Sequence, residues 1–172
     1  MKNFLTLLAV LFITASTFAQ VQYVSFPYKN YKIGFKAPSD FQITKNTVTE
    51  FSVNSNERKM NFTLRPVKED ASIDVSSAVE LAKMSMVDVN SSFSSVAITE
   101  EADVLLSTGL SGYYLTGTAL DGSVKINFFA IGVYDASSTM QFKGIASYPV
   151  NRSSASNYDI CKRILQSMQK LP

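Results

Sequence analysis

The sequence predicts an α+β fold in which an antiparallel β-sheet is flanked by helices. Three observations carry that expectation. Residues 124–133 are apolar on both parities, with Val124, Ile126, Phe128 and Ala130 on one side and Phe129, Ile131 and Val133 on the other. That is the pattern of a central strand covered on both faces. Asp121-Gly122 separates two β-rich runs, a strong hairpin signal because both turn positions favour positive φ. Two other segments abandon the period of two for steps of three and four, which supplies one helix for each face of the sheet.

Before the first strand the chain has the layout of a cleavable signal peptide. Lys2 is followed by an apolar stretch over residues 4–13 that only Thr6 interrupts, and Thr17-Phe18-Ala19 places small residues at −3 and −1 before Gln20. The apolar run is shorter than the roughly 20 residues a membrane span needs. No cysteine near residue 20 offers a site for lipid attachment. The expected organisation is a signal peptide over residues 1–19 and one domain over residues 20–172. The protein is expected to be exported, periplasmic or secreted, with no stable membrane span after cleavage.

Residues 21–31, rich in Tyr and Phe, read as a first strand, and residues 31–37 as a second that Pro38-Ser39-Asp40 ends. Residues 47–53 carry Phe51 and Val53 on one face of a third, and Asn54-Ser-Asn56-Glu57 turns the chain. Met60, Phe62 and Leu64 then alternate with Asn61, Thr63 and Arg65, as in a half-buried strand. Pro66 is expected to limit its pairing. Val75, Val79, Ala82, Met86, Val89 and Phe93 follow in steps of four and three, a core-facing helix that Ser72 or Asp70 would cap and Asn90-Ser-Ser92 would end. Residues 93–148 return to strand patterning, with turns at Thr108-Gly109, Asp121-Gly122 and Asp135-Ala-Ser-Ser138. The second helix spans about residues 154–169, and Tyr158, Cys161, Leu165 and Met168 form its apolar stripe, which makes Cys161 a buried small hydrophobe.

Composition removes many chemistries. The 172 residues are 46% hydrophobic and 17% charged, with 16 Lys and Arg against 14 Asp and Glu for a net charge of +2. No basic field points to nucleic acid. There is no histidine, so Ser-His-Asp, Cys-His and mixed Cys/His zinc arrangements are excluded, and the single cysteine cannot form an internal disulfide. Two acidic groups, Glu100-Glu101-Ala-Asp103 and Glu69-Asp70 with Asp74, lack the glycine-bearing spacing of a calcium loop. Gly109-Leu-Ser111-Gly112 is not a nucleophile elbow, and Ser167-Met-Gln-Lys170 matches S-x-x-K without its companion motifs. No catalytic residue, metal ligand or cofactor-binding residue is assigned, and no cofactor is expected. One motif suits partner binding: Tyr23, Tyr28 and Tyr31 interleaved with Lys29 and Lys32, since surface aromatic and basic groups are enriched in contacts with other proteins.

Tyr31-Lys-Ile-Gly-Phe-Lys-Ala-Pro-Ser-Asp-Phe41, Leu110-Ser-Gly-Tyr-Tyr-Leu-Thr-Gly-Thr118 with the hairpin after it, and the closing Ile164-Leu-Gln-Ser-Met168 resemble the PsbP-like family. The resemblance implies an α/β/α sandwich around an antiparallel sheet. Members include a photosystem II accessory subunit, a nuclear-import protein that binds the Ran GTPase, and many exported bacterial proteins without an assigned role. They share a fold far more than a function, so the resemblance implies a binding module and no mechanism. Phe41 stands where a tryptophan is common in that family.

These readings lead to an exported, non-catalytic binding or accessory protein that acts through a surface or shallow groove. Its partner would be a protein or small ligand of the cell envelope and no nucleic acid. Two alternatives stand beside it. One is a small-ligand carrier with a cavity between sheet and helix, and the other is a histidine-free hydrolase that depends on carboxylates or serine.

Overall fold

The computed structural model of the protein describes residues 21–69, 75–106 and 109–172. The expected signal segment, the proposed caps Asp70 and Ser72, the acidic Asp74, and Thr108 lie outside the described residues. In chain order the elements are β1 (Tyr23–Tyr28), a 3-10 turn (Lys29–Tyr31), β2 (Ile33–Pro38), β3 (Gln42–Asn46), β4 (Phe51–Ser55) and β5 (Met60–Lys68). There follow α1 (Ala78–Ser92), β6 (Ser94–Leu105), β7 (Leu110–Asp121), β8 (Val124–Asp135), β9 (Met140–Pro149), α2 (Ser154–Gln166) and β10 (Gln169–Lys170).

Seven strands form one antiparallel sheet in the order β3-β4-β5-β9-β8-β7-β6, and a second sheet has the order β1-β2-β10. The both-parity run is β8, with β9 on one side and β7 on the other. One of its faces sends Ile126, Phe128 and Ala130 into a cluster with Ala82, Met86 and Val89 of α1. The other sends Phe129, Ile131 and Val133 into the larger core, which holds β1, β2 and α2. The expected antiparallel sheet flanked by helices is therefore the fold observed. The cover of the second face is composite, because β1 and β2 lie over it beside α2. Phe35 meets Phe62 at 4.9 Å between ring centroids and Tyr28 stacks on Phe51 at 5.0 Å. Ile160, Cys161, Ile164 and Leu165 of α2 complete this layer, and burial pushes the Cys161 thiol well above its ordinary pKa.

Several boundaries differ from expectation, each for a local reason. The first strand stops at Tyr28, because residues 29–31 make a 3-10 turn and Lys32 takes the left-handed conformation at φ 49°. β3 is exposed along its whole length, so it shows no apolar alternation to detect. Pro66 does not end β5. It pairs with Phe142 of β9, while β4 stops opposite Leu64 and leaves that stretch of β5 one open side, where a missing N–H costs little. Helix α1 begins at Ala78, with Ser77 as cap: its hydroxyl accepts the Glu80 N–H at 3.3 Å, and Glu80 reaches back to the Ser76 N–H at 2.7 Å. The β7–β8 turn residues are Gly122 and Ser123, since Asp121 still pairs with Val124. Only Gly122 has positive φ, 58°, the pattern of a II′ turn.

Helix α1 lies unusually close to the sheet. A Cβ on Gly132 would sit 2.0 Å from the Ala78 carbonyl oxygen and 2.6 Å from the Ala82 nitrogen, so glycine is what lets the helix backbone approach. The buried Ser85 hydroxyl locks the contact, accepting the Gly144 N–H at 3.0 Å and donating to the Ile131 carbonyl at 2.8 Å. Among the described residues no helix is long and apolar enough to cross a membrane.

Candidate functional site

The five residues of the expected basic-aromatic patch do not stay together. Tyr28 is 0% exposed. Its hydroxyl donates to the Thr47 carbonyl at 2.6 Å, and burial, with Tyr31 and Glu50 nearby, pushes its pKa up to about 12. Tyr28 is therefore corrected from a partner-binding residue to a core residue that pins the β3–β4 turn. The strand alternation puts it inward, as the sequence alone could not decide. Tyr23 is half-buried beneath the Arg163 guanidinium, 5.9 Å above its ring. Lys29 and Lys32 are exposed, and Tyr31 is half-buried.

Tyr31 and Lys32 line a cleft of about 180 Å³ where the small sheet meets one end of the large one. Tyr31 forms a fixed wall: its hydroxyl donates to the Val48 carbonyl, and its ring meets Tyr28 and Phe142 edge-on at 5.0 and 5.8 Å. Ile33, Leu110, Met140, Phe142 and Leu171 supply the apolar lining. The rim is charged. Lys170 holds Asp135 at 2.7 Å and donates to the Ser137 hydroxyl at 2.9 Å. Burial raises the Asp135 carboxyl, but Lys170 together with the Ser137 hydroxyl and N–H outweighs it, leaving the pKa below its ordinary value. Lys32 is held in place by its backbone, which accepts the Leu171 N–H at 2.7 Å.

The sequence pointed to Tyr31 and Lys32 but not to Asp135, Met140, Phe142, Lys170 or Leu171. Asp135 was visible only as part of a turn. Lys170 and Leu171 meet Lys32 because the short β10 pairs with Ile33 and Gly34, and two residues of strand leave no periodic signal.

Two polar groupings elsewhere are internally satisfied. Glu100 accepts from the Tyr114 hydroxyl at 2.5 Å and the Tyr158 hydroxyl at 2.6 Å, with the Lys162 ammonium 5.7 and 5.2 Å from the two ring centroids. The Tyr114 and Tyr158 bonds lower the Glu100 pKa despite some desolvation, and burial together with Glu100 raises that of Tyr114. This carboxylate is spent on joining β6 and β7 to α2. On the opposite face Asp88 bridges Arg65 at 3.2 Å and Lys143 at 2.8 Å, and Glu50 takes the remaining edge of Arg65 at 3.0 Å. The adjoining cleft of about 150 Å³ is lined by Asn61, Thr63 and Ser147 among others.

Known structures share this fold. The Ran-binding protein Mog1p of Saccharomyces cerevisiae matches with a TM-score of 0.63 at 10% identity, covering 88% of this chain and 96% of that one. A Pseudomonas aeruginosa protein of unknown function matches with a TM-score of 0.53 at 8% identity, covering 88% and 99%. A Bacteroides thetaiotaomicron protein matches with a TM-score of 0.51 at 11% identity, covering 86% of this chain and 48% of that one. No family model and no curated protein matches the sequence. These findings correct the family assignment implied by the resemblance. The likeness to Mog1p and the other two solved structures is at identities that show the fold alone, and the chain is not placed in the PsbP-like family.

Proposed function

We propose that the protein is an exported, non-catalytic binding or accessory protein, and that its cleft receives an apolar side chain of a protein partner. The observation that carries this reading is the cleft itself, an apolar lining under a rim of Lys32, Lys170 and Asp135. A space of about 180 Å³ falls below the roughly 300–1,000 Å³ of small-molecule sites and suits one inserted side chain better than a carried ligand. Lys32, exposed above the lining, is placed to meet an acidic group beside that side chain. Mog1p is a Ran-binding protein, which supports a binding role on this fold without naming a partner here. Against a hydrolase, one carboxylate of the densest acidic group is committed elsewhere: Glu100 is held by two tyrosines.

The test is capture from the cell envelope of the native host with the tagged protein and its Lys32→Glu/Leu171→Asp variant. A partner retained by the parent and lost by a folded variant supports the reading; equal retention contradicts it. Turnover of generic ester, glycoside, peptide or phosphate substrates, abolished by one acidic or serine substitution, would show an enzyme instead. Export is tested by intact mass, which should begin at Gln20; a mass that retains residues 1–19 contradicts cleavage.

A further inference from the structure

The two edges of the large sheet are protected to different degrees. An edge strand exposes unpaired N–H and C=O groups, and proteins blunt such edges with short strands, bulges and charges. At one edge β3 has only five residues, and its register with β4 shifts between Ile43 and Lys45. At the other, β6 has twelve residues. Its irregularities are confined to the first half, with shifts between Ser94 and Ala97 and between Ile98 and Glu100, and Ser95 at φ 51°. From Glu100 to Leu105 every residue pairs with β7 in unbroken register, from Thr116 down to Ser111. Among the described residues nothing pairs with the outer side of that stretch.

We propose that residues 100–105 of β6 form a docking edge onto which an extended basic segment of a protein partner adds as an eighth strand. Main-chain hydrogen bonds along an open edge supply affinity in such additions, and alternate side chains supply selectivity. The side chains here define the complement. Glu101, Asp103 and Leu105 share one face, since side chains alternate along a strand. Glu101 and Asp103 are exposed, the Glu101 carboxylate accepts from the Tyr113 hydroxyl, and neither carboxylate makes an ion pair among the described residues. Leu105 is 97% exposed, so the acidic positions run into an uncovered apolar one. The matching segment carries Lys or Arg at two alternate positions and an apolar residue two places further along. A second copy of this chain is disfavoured as occupant, because pairing two such edges would bring six carboxylates onto one ribbon, and like charges across a ladder repel. This edge is distinct from the cleft and does not depend on it.

The test uses the intact protein and a blocked nine-residue peptide that alternates lysine with valine and ends in leucine. Titration calorimetry measures its binding, and amide hydrogen exchange reads protection at residues 100–105. Two control peptides accompany it, one N-methylated at alternate backbone amides and one with threonine in place of lysine. Saturable binding with protection at β6, weakened at least tenfold by N-methylation and by loss of the lysines, supports the proposal. The Glu101→Lys/Asp103→Lys variant should weaken it to a similar extent with unchanged thermal unfolding. No binding of the parent peptide, or equal binding of the N-methylated one, overturns the proposal without recourse to any variant. Equal binding of the threonine peptide overturns the basic partner, and a dimer in sedimentation that protects the same amides assigns the edge to a second copy.

Discussion

The two faces of the large sheet are covered in opposite ways. Under α1 the contact is backbone against backbone: Gly132 lies beneath Ala78 and Ala82, and the Ser85 hydroxyl ties β8 to β9. Under β1, β2 and α2 the contact is made by large rings, with Tyr28, Phe35, Phe51, Phe62 and Phe142 in one cluster. Close packing leaves the first face little freedom to rearrange. Rings held apart at 5–6 Å by their own size, such as Tyr31 and Phe142 at 5.8 Å, leave space at the margin of the layer, and the candidate cleft is that margin. The margin of the ring-packed face thus holds an apolar cleft of about 180 Å³, whereas the cleft of about 150 Å³ beside α1 is rimmed by the Asp88, Arg65 and Lys143 ion pairs.

Substitutions at the two faces should therefore differ in cost. The largest effect is expected for Gly132→Ala, whose methyl would overlap the Ala78 carbonyl at 2.0 Å. Displacing α1 should cost about 3 kcal/mol or more in urea unfolding; a loss under about 1 kcal/mol would mean that the helix floats on the sheet and would erase the contrast. Ser85→Ala leaves the buried Gly144 N–H without its partner and should cost about 1–3 kcal/mol in the same assay. On the opposite face Tyr28→Phe removes one hydroxyl from the Thr47 carbonyl and keeps the ring, so about 1 kcal/mol is expected. A larger loss than for Ser85→Ala would reverse the order of the two faces.

The smallest effect concerns the rim of the cleft. Asp135 has its pKa lowered in the folded protein, chiefly against the opposing effect of burial, by Lys170 and Ser137. A depressed carboxyl pKa stabilises the fold at pH values above the ordinary 3.8, and that contribution fades as pH falls through the lower folded value. Stability measured from pH 6 downward should thus fall less steeply in Asp135→Asn than in the parent below pH 3.8. Parallel curves would show that the Lys170 contact carries no weight.

The legible part of the fold was the part with a repeating pattern. β8 announced its central place because both parities are apolar, and α1 announced itself through Ala82, Met86 and Val89. Elements without such repetition were not visible: β3 is polar and exposed throughout, β10 has two residues, and the cap of α1 lies at Ser77 where several serines compete. The site was half legible for a related reason. Tyr31 and Lys32 stood out as a local string, but Lys170 reaches the same cleft through the pairing of β10 with β2, and Asp135 and Phe142 reach it through packing of the small sheet on the large one, from segments about a hundred residues and more away. Tyr28 was misplaced because a tyrosine that packs on the core and one that faces a partner give the same letters. Only the ring stacking on Phe51 and the bond to Thr47 separate the two.

The central claim is that the margin at Tyr31 and Lys32, and not the face of α1, meets a partner. The direct measurement is photocrosslinking in living cells of the native host with a benzophenone amino acid placed at Lys32, at the rim of the cleft, or at Val87, exposed on α1. A discrete protein adduct from position 32, absent from position 87 and suppressed by Leu171→Asp, is the predicted result. An adduct of equal yield from position 87, or none from position 32 while one forms at 87, would contradict it.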